Sequence, residues 1–328
     1  MAGESSLTRT YKTLLTTTFD KLLSANVIQD NVYDAHPVLD WLRSGDRVKV
    51  IDGGERIRIP IWTGKGTTFK WYSGDELLNV TPQEGATTAW YTWKQGSVSI
   101  TVDGLSRRSN KGTAQIADIT KEKRKQSEMD LADNMATGMF SDGTGTSNKQ
   151  LTGFEAMIAT TTTSGTYADI NSATNTSWRN QVATGVGAAA TNLIPKLTTV
   201  FNDCSQGKGA TSRPDLIVGT QAIHESAEAL INPKLRYASG ANDAQMVADG
   251  LRFKTAEFIW SDYCTSGTVY VLNSSHMMFF VHRDANFSLS EEGFQKPVDQ
   301  DTLVSQIFFQ GNLATNNRRK LGKLTGIT

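Results

Sequence analysis

The segment that most constrains this chain lies between two alternating stretches. Arg56-Ile57-Arg58-Ile59-Pro60-Ile61 places apolar and polar residues strictly in turn, and so does Gly96–Val102, where Val98, Ile100 and Val102 alternate with Ser97, Ser99 and Thr101. Each reads as a strand with one buried and one wet face, and each is the natural partner of the other. Pro60 lacks an N–H, which puts its strand at an edge or near its end. Between Trp62 and Trp93 the chain is rich in Gly and Thr. Yet it holds seven aromatics in 32 residues: Trp62, Phe69, Trp71, Tyr72, Trp90, Tyr91 and Trp93. That density is about two and a half times the 9% of the whole chain. A long excursion between two strands cannot build a core of its own. Its aromatics either form a third layer of the same domain or meet another molecule.

The rest of the chain supplies several surfaces of the same kind. Tyr11, Leu14, Leu15, Thr18, Phe19 and Leu22 recur at three- and four-residue spacing, a narrow apolar stripe on one helix. The irregular segment 25–34 follows, so this stripe needs a partner surface elsewhere. A short helix is expected over His36–Leu42, with Pro37 in its first turn. From Thr113 to about Phe140 the pattern predicts one long helix, with Ile116, Ile119, Met129, Ala132, Met135 or Ala136, and Met139 towards one side. Its charged middle, Lys121–Glu128, reads as a solvated face. Turn residues Ser141–Thr146 end it. A short apolar element is expected at Leu151–Ile158, and a loop at Thr160–Thr166.

A domain boundary is expected between about 155 and 182, and the second half reads as mixed α/β. The expected elements are a helix over Ala188–Asn202 interrupted near Pro195, a buried strand at Asp215–Gly219, and a helix from Thr220 to about Leu230. Thr268–Leu272 and Met277–Val281 read as a hairpin, Ser305–Leu313 as a strand, and Arg318-Arg319-Lys320 with Lys323 as a basic tail.

Composition removes several functions. Thirty-three Lys+Arg balance 33 Asp+Glu, whereas a protein that coats nucleic acid needs a basic excess. Membrane helices need about 18 or more apolar residues in a row; Met277–Val281 is among the longest runs here. Two cysteines, Cys204 and Cys264, make no disulfide framework and no CxxC knuckle, and suit buried thiols in a reducing compartment. Residues 1–10 lack the pattern of a secretory signal. Motifs that could carry chemistry are fragmentary. His224 and Glu228 in HESAE stand at the i,i+4 spacing of a zinc-dependent hydrolase, but the second histidine of HExxH is missing and spacing identifies no third ligand, His276 and His282 being no more than candidates. Gly185–Ala190 fits GxGxxA without a hydrophobic strand before it. Gly64-Lys65-Gly66-Thr67 and Gly207-Lys208-Gly209 do not complete a phosphate loop. No catalytic residue, metal or cofactor is assigned.

The order of these parts, and local phrases within them, resemble a known family. His36-Pro37-Val38-Leu39-Asp40-Trp41-Leu42, Val50–Glu55, Tyr72-Ser73-Gly74, Phe140–Gly145, Leu151-Thr152-Gly153-Phe154 and Thr176–Asn180 are similar to recurring phrases of tailed-bacteriophage major capsid (coat) proteins of the Hong Kong 97 fold. The resemblance runs from about Tyr11 to the C-terminus. It implies an α+β fold divided into an N-terminal arm (1–35), a first part of the peripheral domain (36–53), an extended hairpin loop (54–97), the peripheral domain with its long spine helix (98–181), an axial domain (182–300) and a C-terminal return strand to the peripheral domain (301–328).

The implied function is a non-enzymatic coat that self-assembles, as hexamers and pentamers, into an icosahedral shell around double-stranded DNA in a virion made in a bacterial cytoplasm. Implied partners are other copies of the chain, a separate scaffolding protein or none, a portal, a decoration protein, and DNA held by weak non-specific contacts, with no membrane. An encapsulin-like nanocompartment is the alternative within the same fold. Some members join lysine to asparagine covalently; Lys65, Lys70 and Lys94 lie in the loop region, but no pattern marks an acceptor. The expected inter-subunit residues are Leu14, Phe19, Trp62, Phe69, Trp71, Tyr72, Trp90 and Trp93. Phe69→Ala or Trp71→Ala should therefore impair assembly, read by sedimentation, while monomer stability changes by no more than about 0.5 kcal/mol. A monomer melting far below wild type would assign the hairpin to the core.

Overall fold

The computed structural model describes residues 36–44, 47–64, 66–82, 84–109, 113–207, 209–236, 251–290 and 293–328; the expected arm, with Leu14 and Phe19, lies outside them. The chain enters through helix α1 (Pro37–Ser44), which buries Val38, Leu39 and Leu42. β1 (Val48–Ile51) follows. β2 (Arg56–Trp62) then pairs antiparallel with β3 (Ala86–Thr92), and Arg58 faces Trp90 across the ribbon. This corrects the expected pairing with 96–102. β3 carries its own alternation, so Ala89 and Tyr91 fall on the same side as Ile57, Ile59 and Ile61, and all five are buried. Only Trp93 separates β3 from β4 (Lys94–Asp103), which belongs to a different sheet.

After the short α2 (Gly104–Ser109) comes α3 (Thr113–Met139), 27 residues in one helix, about 40 Å long. Leu131, Ala132, Met135, Ala136 and Met139 form its buried stripe. The charged middle is not simply a solvated face. Arg124, Ser127 and Glu128 are buried too, at the three- and four-residue spacing that continues the stripe. Arg124 Nε lies 2.5 Å from Glu128 Oε1, one turn on, so the two charges compensate each other where water is excluded. Met129, expected on the apolar side, is exposed.

A single turn at Gly145–Asn148 then runs left-handed, with φ of 50° at Thr146, 55° at Ser147 and 64° at Asn148. α4 (Phe154–Met157), a two-residue hairpin of β5 (Thr166–Tyr167) and β6 (Ile170–Asn171), and β7 (Gln181–Ala183) lead into the second half. There α5 (Ala189–Cys204) carries Pro195 in its second turn. The strand β8 (Leu216–Gly219) is buried throughout, as its unbroken apolar run predicts. α6 (Gln221–Arg236), β9 (Arg252–Phe253) and β10 (Ala256–Trp260) follow.

β11 (Thr268–Leu272) and β12 (Met277–Leu289) do not form the expected hairpin. All five residues of β11 are buried, which calls for a neighbour on each side. It lies between β8 and β14 (Gly322–Thr325) in a six-stranded sheet of order β7-β14-β11-β8-β10-β9. The chain leaves that sheet through a tight turn, where Asn273 Oδ1 accepts from Ser275 N. β12 then lies in a four-stranded sheet of order β1-β12-β13-β4, with β13 spanning Thr302–Thr315. Residues 277–289, expected in the axial region, thus belong to the sheet of the long strands. The last strand crosses back into the six-stranded sheet.

Among the residues expected to form a basic tail, Arg318, Lys320 and Lys323 are buried. Arg318 Nε donates to the Met157 carbonyl at 2.8 Å, and its Nη atoms donate to Ser172 Oγ and Asn180 Oδ1. Lys323 Nζ sits 2.5 Å from Glu155 Oε1, and the other oxygen of Glu155 accepts from Tyr270 at 2.7 Å. Glu155 comes from α4, Tyr270 from β11 and Lys323 from β14, so one carboxylate joins the six-stranded sheet to the segment after the long helix. Glu155→Ala would strand a buried ammonium. It should lower subunit stability by about 3 kcal/mol in urea unfolding of unassembled protein; an unchanged midpoint would show that the junction contributes little.

Candidate assembly surface

The ribbon β2–β3 has two faces. The inner face, with Ile57, Ile59, Ile61, Ala89 and Tyr91, closes on the chain's own core. Tyr91 Oη donates to the Thr315 carbonyl at 2.6 Å, which ties the ribbon to the end of β13. Burial pushes that phenol well above its ordinary pKa. The outer face carries Arg56, Arg58, Pro60 and Trp62 on one strand and Ala86, Thr88, Trp90 and Thr92 on the other, all turned away from the body. Arg56 is held by Asp169 at 3.0 Å.

Beyond Trp62 and Ala86 the ribbon opens into a tip without regular structure. Gly64 and Thr63 donate their amides to the Gly85 carbonyl and close its neck. Lys70 and Glu76 pair at 2.5 Å, and the rings of Phe69 and Trp71 meet edge to face at 5.2 Å. Gly74, at φ +68°, turns the chain where an L side chain would be strained. These local contacts order the tip without burying it. Trp62 is 81% exposed, Phe69 75% and Trp71 87%, and Tyr72, Leu77, Leu78 and Val80 are exposed as well. An apolar concentration of this kind on a single chain is a candidate contact surface.

The structure therefore divides the residues expected at subunit contacts. Trp62, Phe69, Trp71 and Tyr72 lie together on the exposed ribbon and tip, and Trp90 lies on the ribbon's outer face. Trp93 is different. It packs against the core, donates Nε1–H to the Gly54 carbonyl at 2.8 Å, and meets the edge of His282 at 5.8 Å. It anchors the root of the ribbon. The root also contains residues the sequence did not single out. Between Val281 and Asn286 the strand β12 bulges, and Arg283 from the bulge reaches Asp52 at 2.7 Å. Alternation simply stops at His282-Arg283-Asp284, a signal too weak to read alone.

The chemical motifs resolve into structure. His224 Nε2 lies 3.1 Å from the Phe258 carbonyl, which can only accept, so that nitrogen carries the proton. Among the described residues no three His, Cys, Asp or Glu side chains come together as a metal site, so His224 and Glu228 gain no third ligand from His276 or His282. The GxGxxA segment does follow a strand, contrary to expectation, but β7 is only three residues long. Its amides are already engaged: Val186, Gly187 and Ala189 donate to the carbonyls of Thr325, Gly326 and Thr328. They secure the C-terminal strand, which leaves them unable to cradle a phosphate. Lys94 Nζ donates to the Asn148 carbonyl, and partial burial lowers its pKa.

No protein-family model matches the chain, and no curated protein matches it by sequence. Solved structures do match. The capsid of cyanophage A-1(L) aligns over 85% of this chain and 90% of its own, with a TM-score of 0.58 at 14% identity. The capsid of Myoviridae phage XM1 aligns over 87% and 92%, with a TM-score of 0.57 at 11% identity. The SrpI encapsulin of Synechococcus elongatus aligns over 88% and 87%, with a TM-score of 0.52 at 8% identity. The architecture is that of the subunits from which capsid shells are built. Specifically, the chain has the Hong Kong 97 fold of tailed-phage capsid proteins.

Both cysteines are buried inside this fold and unpaired. Burial, reinforced by nearby Glu155, pushes the Cys264 thiol up to about 12, and burial pushes Cys204 up as well. At pH 8, far below these raised values, both stay protonated and unreactive. Ellman's reagent should find no fast thiol in native protein at pH 8 and two after unfolding in urea; a fast native thiol would contradict this placement.

Proposed function

We propose that the chain is the major capsid protein of a tailed phage, a structural coat that closes into an icosahedral shell around double-stranded DNA and resides in the virion. The observation that carries this reading is the exposed aromatic tip on a ribbon whose other face is already buried. Each such side chain, once covered, can contribute about 1.5–3 kcal/mol, and a shell repeats the same contact in every copy. Part of that gain offsets the ordering and association costs. The exposed residues Trp62, Phe69, Trp71, Tyr72 and Trp90 are assigned to contacts between copies, and Leu14 and Phe19 to an arm contact. Balanced charge (33 basic against 33 acidic residues) suits a wall that neither clamps the genome nor repels its neighbours.

The subunit takes part in hexamers and pentamers, with scaffolding, portal and decoration proteins as further partners. The domain division into arm, hairpin, peripheral and axial parts is adopted with 277–289 moved to the peripheral sheet and 322–325, expected with the peripheral return strand, moved to the axial one. No described helix is long and apolar enough to cross a membrane.

The likeness to an encapsulin and to a virus-like particle from Pyrococcus furiosus supports a second reading, a protein compartment loaded with protein cargo. Electron microscopy of native particles, with nuclease treatment before extraction, separates the two. The coat reading expects closed shells that protect double-stranded DNA. Closed shells containing protein and no protected DNA would favour the compartment, and a chain that stays monomeric at high concentration would contradict both.

A further inference from the structure

One buried cation in this fold is left without a partner. Lys320 ends the turn Arg318–Lys320 that leads into β14, is 8% exposed, and its Nζ makes no hydrogen bond among the described residues. Its neighbours are provided for: Arg318 has three acceptors and Lys323 a carboxylate. Burial above all, with Arg319 adding to it, holds the Lys320 pKa below the ordinary lysine range, and no carboxylate stands near enough to oppose them. A cation buried in this way is costly unless something of opposite charge reaches it. We propose that Lys320 and the loop 205–213 form a site for a phosphate group, held between Lys320 Nζ and Ser212 Oγ.

The loop supplies the geometry. It joins α5 to β8 and carries Gly207 at φ +116° and Gly209 at φ +106°, both exposed. A Cβ on Gly207 would lie 3.6 Å from Lys320 Nζ and 2.8 Å from Ser212 Oγ. The ammonium and the hydroxyl thus flank one bare patch of backbone, and they do not bond to each other. One tetrahedral oxyanion spans such a pair, accepting from the ammonium through one oxygen and from the hydroxyl through another. Glycine keeps the space between them clear, since any side chain at 207 would begin where the anion sits.

The surrounding charge has the right sign. Arg319 is exposed beside Lys320, and the loop itself contains Arg213, also exposed, and Lys208, which lies outside the described residues. Asp203, the acid nearest the loop on α5, is exposed and bears on Cys204 instead. The C-terminal end of α5, at Cys204, favours a cation, which accounts for a lysine at this place but gives it no hydrogen bond. Gly207-Lys208-Gly209, an incomplete phosphate loop in the sequence, thus gains a lysine from a turn far along the chain. The site stands independently of the shell reading. A free phosphate ion and the backbone of double-stranded DNA present the same oxygens to it.

The test titrates inorganic phosphate into the full chain at neutral pH and fixed ionic strength, with binding read from phosphorus NMR line widths. A fluorescent double-stranded DNA of random sequence is titrated separately and read by anisotropy. Wild type should bind phosphate, and Lys320→Met should bind it about tenfold more weakly. Ser212→Ala, which keeps the ammonium, should bind it roughly threefold more weakly. DNA binding with the same dependence on Lys320 would assign the phosphate to a nucleic-acid backbone, and phosphate binding without DNA binding would assign a free ion; either supports the site. A wild type that binds neither probe, or a Lys320→Met chain that binds both as wild type does, would overturn it. Urea unfolding in chloride, without phosphate, gives a second reading. Methionine fills the lysine's volume without its charge, so Lys320→Met should unfold at a midpoint no lower than wild type. A clearly lower midpoint would show that the chain itself satisfies the ammonium, and the proposal would fall.

Discussion

A ribbon of two strands has two faces and can bury only one of them against its own chain. Much of this molecule's form follows from that limit. Ile57, Ile59, Ile61, Ala89 and Tyr91 spend one face on the core. The opposite face and the tip then hold Trp62, Phe69 and Trp71 exposed, with none of the described residues covering them. The tip is locally ordered by an ion pair, an aromatic pair and a glycine turn, so the proposed contact surface is preformed. Ordering it in advance reduces the entropy lost when two copies meet.

Such a surface is useful only on a body that holds the ribbon at a fixed angle. The root does this with Trp93 on Gly54, Arg283 on Asp52, and Tyr91 on Thr315. Behind the root, the chain crosses between its two sheets more than once. β11 lies in one sheet and β12 in the other, and β14 returns to lie between β7 and β11. The Glu155, Tyr270 and Lys323 junction and the Arg318 contacts sit at these crossings. One apolar cluster also spans the two sheets, with Phe154 and Phe279 packed in the same core as Tyr270 and Leu272. Polar groups there are expensive to bury singly, and most are paired: Arg318 with three acceptors, Lys323 with one carboxylate.

The parts of the fold that depend on local periodicity were legible in the sequence. α1, the long helix α3, the buried strand β8 and the strand within β13 follow from spacing alone. Pairing was less legible. The segments 56–61 and 96–102 share a pattern, and pattern says which face is buried without saying which strand lies alongside. β11 and β12 looked like a hairpin because both are apolar and close in sequence, whereas a strand buried on both sides needs two neighbours and took β8 and β14. The charged middle of α3 hid a continuing buried stripe, because Arg124 and Glu128 satisfy each other one turn apart. Lys323 and Arg318 looked like a tail, because charge alone does not report a partner 138–168 residues away in sequence. Of the candidate surface, the aromatic density between 62 and 93 was visible at once. That Tyr91 and Trp93 turn inward while the others turn outward depends on register and could come only from the fold.

The central claim is that other copies of the chain cover what this chain cannot. Hydroxyl-radical footprinting reads that coverage directly, because side-chain oxidation follows solvent access. Isolated subunits should oxidise quickly at Trp62, Phe69 and Trp71, and slowly at the buried Trp178 in both states. In assembled particles the first three should become protected severalfold while Trp178 is unchanged. Equal oxidation of Trp62, Phe69 and Trp71 before and after assembly would contradict the account, as would protection of all three in the lone subunit.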